Sequence, residues 1–555
     1  MGVFQLPKGL CQDLSAMVAR FWWGKSGKRS IHWKSWQNLC RPKCLGGLGF
    51  KNFEAFNQAM VAKQAWRLLE NPSSLVGRIL RARYFPNGDF LTAGYGQSPS
   101  LIWRSILWGR QVIEQGLIWR IGGGTSVRIF HDKWIPKPYT FLPLLNGGLS
   151  MEARVSDLIT ASGGWNRTLL DSFSDEDCSA ILSIPLPSVG HLEDKRFWFF
   201  SKNGKYSVKT GYRLALRLCD REVNGEIGGS NSGTQCTFWK KLWHLEVPNK
   251  VKILLWRASL NILPTALNLV HRKVLVSAFC SGCGTTTEDV IHAFWGCKRS
   301  RRFWALTSFN IDSVARQGSF ADFLEVMFHT LSDCELERFV CCCWRVWKLR
   351  NEVLYGKTVD GLSKIVEGTM EFLEQFKIHN ARTKPPRVPR FIRWIKPHNP
   401  SLLLNCDGAI GQASCNRGVG GVLRDSAGNF IWGYADQGPA GLDVVATECA
   451  AIHMGLLKAA ELGISDFLVA SDSQEVVALL KGGGELWSNL GNLVDDIRRL
   501  LVHLCVGDVF FQPRSGNRVA HSLAQFGLRE QHHSFWVGLA PDWLVSLLVT
   551  DLEGG

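Results

Sequence analysis

No run of this 555-residue chain is long and apolar enough to cross a membrane as a helix, and its first residues lack the basic-then-apolar pattern of an export signal. The start Met1-Gly2-Val3-Phe4-Gln5-Leu6 also lacks the Ser or Thr that myristoylation wants at the sixth position. No internal repeat is visible, which argues against a solenoid. Charged residues make up only 20% of the chain beside 46% hydrophobic ones, a globular rather than a disordered balance. Seventeen Cys, an odd number, lie mostly in apolar settings such as Cys341-Cys342-Cys343. That usage fits a reducing intracellular compartment, nuclear or cytoplasmic, better than secretion.

What the chain does have is positive charge, unevenly placed. The formal net charge is +16, yet residues from 396 onward carry 10 Lys/Arg against 17 Asp/Glu. The first 395 residues therefore hold a net +23, which favours a polyanionic partner such as nucleic acid. Tyr is scarce, at 7 residues, but there are 23 Trp, 19 of them before residue 396. Several adjoin Arg or Lys, as in Trp66-Arg67, Trp103-Arg104, Trp119-Arg120, Trp239-Lys240, Trp256-Arg257 and Trp344-Arg345. Such pairs could stack on bases and neutralise phosphates, although Trp at helical spacing is more often core.

Up to about residue 135 the pattern is helical, as in Phe53, Phe56, Met60, Ala62, Trp66 and Leu69, with turns at Gly46-Gly47 and Pro86-Asn87-Gly88. Gly122-Gly123-Gly124 lacks the Gly-Lys-Ser/Thr ending of a phosphate loop, so it reads as a hairpin turn between strand-like runs at 118–121 and 127–130. Helices are expected over 251–260, 265–274 and 334–355, the last with Leu336, Val340, Cys343, Trp344 and Trp347 on one stripe. Lys384-Pro385-Pro386-Arg387-Val388-Pro389-Arg390 reads as an extended basic linker. Beyond it, apolar runs at 401–410, 418–424 and 429–436 predict an antiparallel meander. A helix at 444–462, a strand at 466–471, helices at 474–481 and 490–503, a strand at 508–513 and a helix from 517 follow.

Two constellations carry chemistry. Cys280-Ser281-Gly282-Cys283 is followed by His292 and Cys297, a spacing that suits a tetrahedral structural Zn2+, against buried thiols with an unrelated His; Glu288 is expected to favour the start of the helix bearing His292. Cys40 and Cys44 with His32, and the Cys341–Cys343 run, lack a full ligand set and read as structural. Asp407 reads as mid-strand, Glu448 as mid-helix and Asp472 as strand-end. Carboxylates converging from three elements are what a pair of Mg2+ or Mn2+ ions needs for phosphodiester hydrolysis. Asp472 as a helix cap and Glu448 as a surface residue are the bland alternatives.

This order of elements and acids resembles the ribonuclease H fold. Gln512-Pro513-Arg514-Ser515-Gly516-Asn517-Arg518-Val519-Ala520-His521-Ser522-Leu523-Ala524 is similar to that family's final helix, which usually supplies a fourth carboxylate where this chain has His521. A neutral imidazole prefers softer metals than Mg2+, so the departure bears on one metal's occupancy. The Cys280–Cys297 region, with Pro248-Asn249-Lys250-Val251-Lys252 and Leu263-Pro264-Thr265, resembles the zinc-binding region of plant non-LTR retrotransposon reverse transcriptases. Phe21-Trp22-Trp23-Gly24, His32-Trp33-Lys34-Ser35-Trp36, Gly46-Gly47-Leu48-Gly49-Phe50 and Tyr84-Phe85-Pro86 resemble the C-terminal end of such a polymerase. The polymerase's paired acids have no counterpart except Asp495-Asp496, which sits in an amphipathic helix and reads as a solvated face, so no DNA synthesis is expected.

The expected architecture is multidomain. Mostly α regions at 1–135 (reverse-transcriptase C-terminal-like), 236–310 (zinc-binding) and 311–380 (helical) accompany an uninterpreted stretch at 136–235 and a linker at 381–400. An α/β ribonuclease H-like domain, a mixed five-stranded sheet with flanking helices, follows at 401–527, and then a tail at 528–555 without a readable motif. The resemblance implies cleavage of the RNA strand of RNA–DNA hybrids using two Mg2+ or Mn2+ ions on Asp407, Glu448 and Asp472; His521, where the chain departs from the family, is a candidate to orient water or product. Single-stranded RNA or DNA is a further candidate ligand, and a catalytically inactive nucleic-acid-binding remnant is the alternative. Membrane partners are not expected, and oligomeric state is not encoded in any motif.

Overall fold

The structure, a computed structural model, describes residues 1–24, 30–137, 140–144, 148–188, 192–224, 232–309, 318–380, 394–398, 401–411 and 416–552. Most of the basic linker falls outside them. The chain forms two compact units that cut across the boundaries expected from sequence: one joins Leu6–Phe56 to Cys219–Pro386, the other joins Met1–Gln5, Asn57–Leu218 and Arg387–Gly555.

The first unit is helical. Its core contains α1 (Asn249–Ser259), the short α2 (Ala266–His271), α3 (Lys298–Trp304) and α4 (Asp333–Leu354). Helix α4 starts at a capping box in which Ser332 and Glu335 satisfy each other's backbone N–H groups. Leu336, Val340, Cys343 and Trp347 are buried as the stripe predicts, and Trp344 is half-buried with its ring 5.4 Å from Phe372. Burial pushes the Cys341 and Cys342 thiols up to about 12, so they are inert packing groups. Trp239 and Trp256 are core residues here, as are Trp66 and Trp103 in the other unit, so those four indoles are packing rather than base-stacking surfaces.

In the second unit β1 (Leu117–Arg120) pairs antiparallel with β2 (Lys195–Trp198). This corrects the expected hairpin across Gly122–Gly124. The N–H groups of Gly122, Gly124 and Ser126 instead converge on the Asp194 carboxylate at 2.8–2.9 Å, and a Cβ on Gly122 would meet the Leu192 carbonyl oxygen at 2.1 Å. The glycine loop does cradle an anion, but one belonging to the chain itself.

The main sheet has six strands in the order β7-β6-β3-β4-β5-β8. Strands β3 (Leu402–Ile410), β4 (Arg417–Arg424) and β5 (Phe430–Gly438) form the antiparallel meander, and β6 (Phe467–Ser471) and β7 (Val509–Phe511) add in parallel beside β3. The sixth strand, β8 (Ser534–Val537), pairs with β5 and comes from the segment without a readable motif. Flanking helices are α5 (Val444–Glu461), α6 (Gln474–Lys481), α7 (Leu490–His503), α8 (Arg518–Glu530) and α9 (Asp542–Leu552). On α9, Leu544 and Leu548 bury against Val422, Ala435, Val519 and Leu523, and Asp551 pairs with the fully buried Arg424 at 3.1 Å.

Asp495 and Asp496 are not a solvated face. Helix α7 packs against the segment around β1, where Asp495 takes Arg120 at 2.9 Å. The buried Asp496 accepts from the Ser188 N–H at 2.7 Å and from Arg499. Asn492, one turn earlier, donates to the Ile121 and Pro185 carbonyls, completing a polar seam that an amphipathic reading of the helix alone cannot reveal.

Candidate active site and metal centre

Strand alternation places the site. Leu404, Cys406 and Gly408 face α5, and Asn405 and Asp407 face the other side, toward Asn517 and α8. Gly408 is required by close approach, because a Cβ there would lie 2.9 Å from the Thr447 carbonyl carbon and 3.0 Å from the Glu448 nitrogen. The missing side chain lets α5 sit against the strand and brings Glu448 beside Asp407. Asp472 follows the last residue of β6, and Ser473, not Asp472, caps α6, leaving the Asp472 carboxylate available.

Asp407, Glu448 and Asp472 each offer an oxygen within 4.8 Å of the others. Asp407 and Glu448 are 3% and 7% exposed. Burial, then the charges of Asp407 and Asp472, push the Glu448 carboxyl up to about 9; burial and Asp407 push Asp472 up to about 6. Glu448 Oε2 is buried with no hydrogen-bond partner among the described residues. Three crowded carboxylates with an orphaned oxygen form an all-oxygen donor set, which fits a hard divalent cation such as Mg2+ or Mn2+.

His521 stands beside the triad. Its Nδ1 lies 2.6 Å from Asp407 Oδ2, and its Nε2 lies 3.1 Å from Arg514 Nη2. A carboxylate oxygen accepts, so Nδ1 donates to Asp407, while Arg514 Nη2, which is also 3.4 Å from Nδ1, lies against the ring. Behind it, Asn405 donates to Gln512 and Asn517, Asn517 donates to the Cys406 carbonyl, and Trp394 donates to Asn405. This buried network anchors the start of α8. Of its members, Gln512 and Asn517 stand in the quoted helix segment, but no spacing signal marks Asn405 or Trp394 as their partners.

In metal-free protein the raised acids set a pH dependence. Each carboxyl holds its proton more tightly folded than unfolded, so the associated stability is full at low pH and is lost as pH rises toward about 6 for Asp472 and about 9 for Glu448. Glu448→Gln in EDTA is therefore expected to raise the unfolding free energy at pH 9 by on the order of 1–3 kcal/mol and to change it little at pH 4. Denaturant titrations at both pH values check this; a variant no more stable than the parent at pH 9 would show that the carboxyl is not crowded.

In the other unit Cys280, Cys283, His292 and Cys297 bring one ligand atom each to within 4.8 Å of the rest. Cys280 and Cys297 Sγ are 4.0 Å apart, close to the roughly 3.8 Å edge of a tetrahedron with 2.3 Å Zn–S bonds. Burial raises the Cys280 thiol to about 11, and the Thr285 and Thr286 hydroxyls lower Cys283 to about 5. Glu288 is not an early residue of the following helix, as expected from sequence. It is buried, accepts from the Ala266 N–H at 2.9 Å and from Cys280 Sγ at 3.9 Å, and pairs with Arg350, tying the turn to α2 and α4.

Residues 405–527 match the family described as reverse transcriptase-like, and residues 206–304 match zinc-binding in reverse transcriptase. A protein of Arabidopsis thaliana named "Putative ribonuclease H protein" is 28% identical over an alignment of 590 positions that covers 100% of this chain and 90% of that one. An "Uncharacterized mitochondrial protein" of the same plant is 43% identical over 148 residues, 26% of this chain and 96% of that protein. Among solved structures, RNase H1 from Halobacterium salinarum is 25% identical with a TM-score of 0.22, covering 23% of this chain and 98% of its own. LC11-RNase H1 in complex with an RNA/DNA hybrid is 18% identical, with the same TM-score and coverage. The chain couples a segment that matches zinc-binding in reverse transcriptase to a C-terminal module, built on the six-stranded mixed sheet, that matches the reverse transcriptase-like family. It belongs to the family of plant retrotransposon-derived proteins.

Proposed function

We propose that the C-terminal module is an endonuclease that hydrolyses the RNA strand of RNA–DNA hybrids, with Asp407, Glu448 and Asp472 holding two Mg2+ or Mn2+ ions. The observation that carries this is the convergence of three acids, two of them with raised proton affinity, around a buried oxygen that no donor among the described residues satisfies. When bound, the ions supply activation of the attacking water and stabilisation of the leaving 3′ oxygen. Asp407, central among the acids, presents one oxygen inward while His521 holds the other through the Nδ1 proton. His521 is then a positioning residue, itself positioned by Arg514, rather than a substitute ligand. Structural zinc on Cys280, Cys283, His292 and Cys297 would hold the upstream module in shape.

The test is an RNA–DNA hybrid labelled on the RNA strand, incubated with full-length protein and Mg2+, Mn2+ or EDTA, beside duplex DNA and single-stranded RNA of the same sequence. Internal RNA fragments ending in 3′-hydroxyls, formed only with hybrid and divalent ion, are the expected result. A second reading, binding without hydrolysis, is favoured by the hydrogen bond that engages Asp407 Oδ2. Absence of metal-dependent fragments would select it.

A further inference from the structure

The zinc centre also gathers a surface that the nuclease site does not use. Residues 272–304 contain Arg272, Lys273, Lys298, Arg299, Arg301 and Arg302 against only two acids, Glu288 and Asp289. Both acids are engaged: Glu288 is buried against Arg350, and Asp289 accepts from the His292 N–H at 2.6 Å. Arg272 donates to the Trp33 carbonyl, but Lys273, Lys298, Arg299, Arg301 and Arg302 make no ion pair among the described residues. Helix α3 turns Ser300, Phe303 and Trp304 inward, leaving Lys298, Arg301 and Arg302 on its exposed face.

The same zinc-binding module carries an exposed aromatic. Phe279 is 59% exposed in a chain whose rings are mostly buried, and it immediately precedes Cys280. Lys298 immediately follows Cys297, whose sulfur lies 4.0 Å from that of Cys280, so the metal centre draws the backbone next to Phe279 and the first residue of the basic helix into one turn. Arg299 extends along the same turn, with Nη1 3.4 Å from where a Gly282 Cβ would be. Free cations call for a phosphate backbone, and an exposed ring on the same module calls for a base with an open face, which a single strand offers and a duplex does not.

We infer that Phe279 with Lys298, Arg299, Arg301 and Arg302 forms a docking surface for single-stranded nucleic acid, Phe279 stacking on an unpaired base and the cations neutralising successive phosphates. This deepens the reading of the chain as nucleic-acid-binding, yet it stands apart from hydrolysis. The probe is a fluorescein-labelled 12-nucleotide oligo(U), titrated by anisotropy into zinc-loaded full-length protein without Mg2+ or Mn2+, over a range of salt. Arg301→Gln with Arg302→Gln is expected to weaken binding and to flatten the log–log salt slope by about 1.4, and Lys298→Gln alone by about 0.7. Phe279→Ala is expected to lose roughly 5- to 100-fold in affinity at unchanged slope.

A blunt duplex of equal length should compete worse than unlabelled oligo(U). Unchanged affinity and slope in the Arg variant, a neutral Phe279→Ala, or equal competition by duplex would each overturn the inference. Phe279, Lys298, Arg301 and Arg302 are exposed, and equal zinc content with unchanged far-ultraviolet dichroism confirms that each variant folds. If the variants bind as poorly as expected but the parent never cuts hybrid, the nuclease reading alone fails. If the parent cuts hybrid and the variants bind oligo(U) normally, the docking surface alone fails.

Discussion

Asp407→Asn is expected to reduce hybrid cleavage by roughly 10²- to 10³-fold, the scale on which losing one preorganised electrostatic group slows an active site. Asn preserves shape and can still accept from His521 Nδ1, so the hydrogen bond at 2.6 Å and the packing of α8 should survive. What disappears is the negative charge that sits between Glu448 and Asp472. The same substitution should lower the pKa of Glu448, because Asp407 is the larger of the two charges that, after burial, raise it. Binding of catalytically silent hybrid should be retained. Cleavage at the parental rate would sink the nuclease assignment, whereas loss of binding along with cleavage would point to misfolding, which far-ultraviolet dichroism would reveal.

Zinc removal should have the largest effect on the other unit. A structural Zn2+ contributes on the order of 10 kcal/mol of apparent folding energy at neutral pH, comparable with the whole stability of a domain. Phe294 and Trp295 of the helical core lie between the ligands His292 and Cys297, and Trp304 ends the helix that follows Cys297. Chelation, or Cys297→Ser, is therefore expected to expose these indoles, shift Trp emission to the red and release one zinc per chain. A chelator-treated protein with unchanged emission and protease resistance would show that the thiols pack without metal.

Much of the ribonuclease H-like module was legible in the sequence because its signals are local. Alternation over 401–410 and 429–436, helical periodicity over 444–462 and the Ser and Gly punctuation between them map closely onto β3, β5 and α5. The acidic triad was readable for the same reason: each acid sits in a periodic element whose place in the sheet follows from the order of strands. What escaped depends on partners far apart in the chain. Asp194 meets the glycine loop about 70 residues away, Arg120 meets Asp495 across 375 residues, and Asn405 meets Gln512 across 107. Asp495 and Asp496 looked solvated because amphipathicity reports one buried face and is silent about a second surface packed on the other. Strand β8 was missed because Ser534–Val537 is short and only half-buried, so it carries little alternation.

The ion pair between Arg424 and Asp551 governs how this protein can be shortened. A fragment stopped at residue 527, where the family match ends, would lose β8 and α9 and strand a fully enclosed guanidinium without its counter-ion. Removing one member of such a pair is typically worth about 3–5 kcal/mol, enough to leave a trimmed nuclease module insoluble for reasons unrelated to its chemistry. Expression designs that retain residues through Leu552, or that exchange Arg424 for an apolar side chain when the terminus is cut, should give the soluble material on which every cleavage measurement depends.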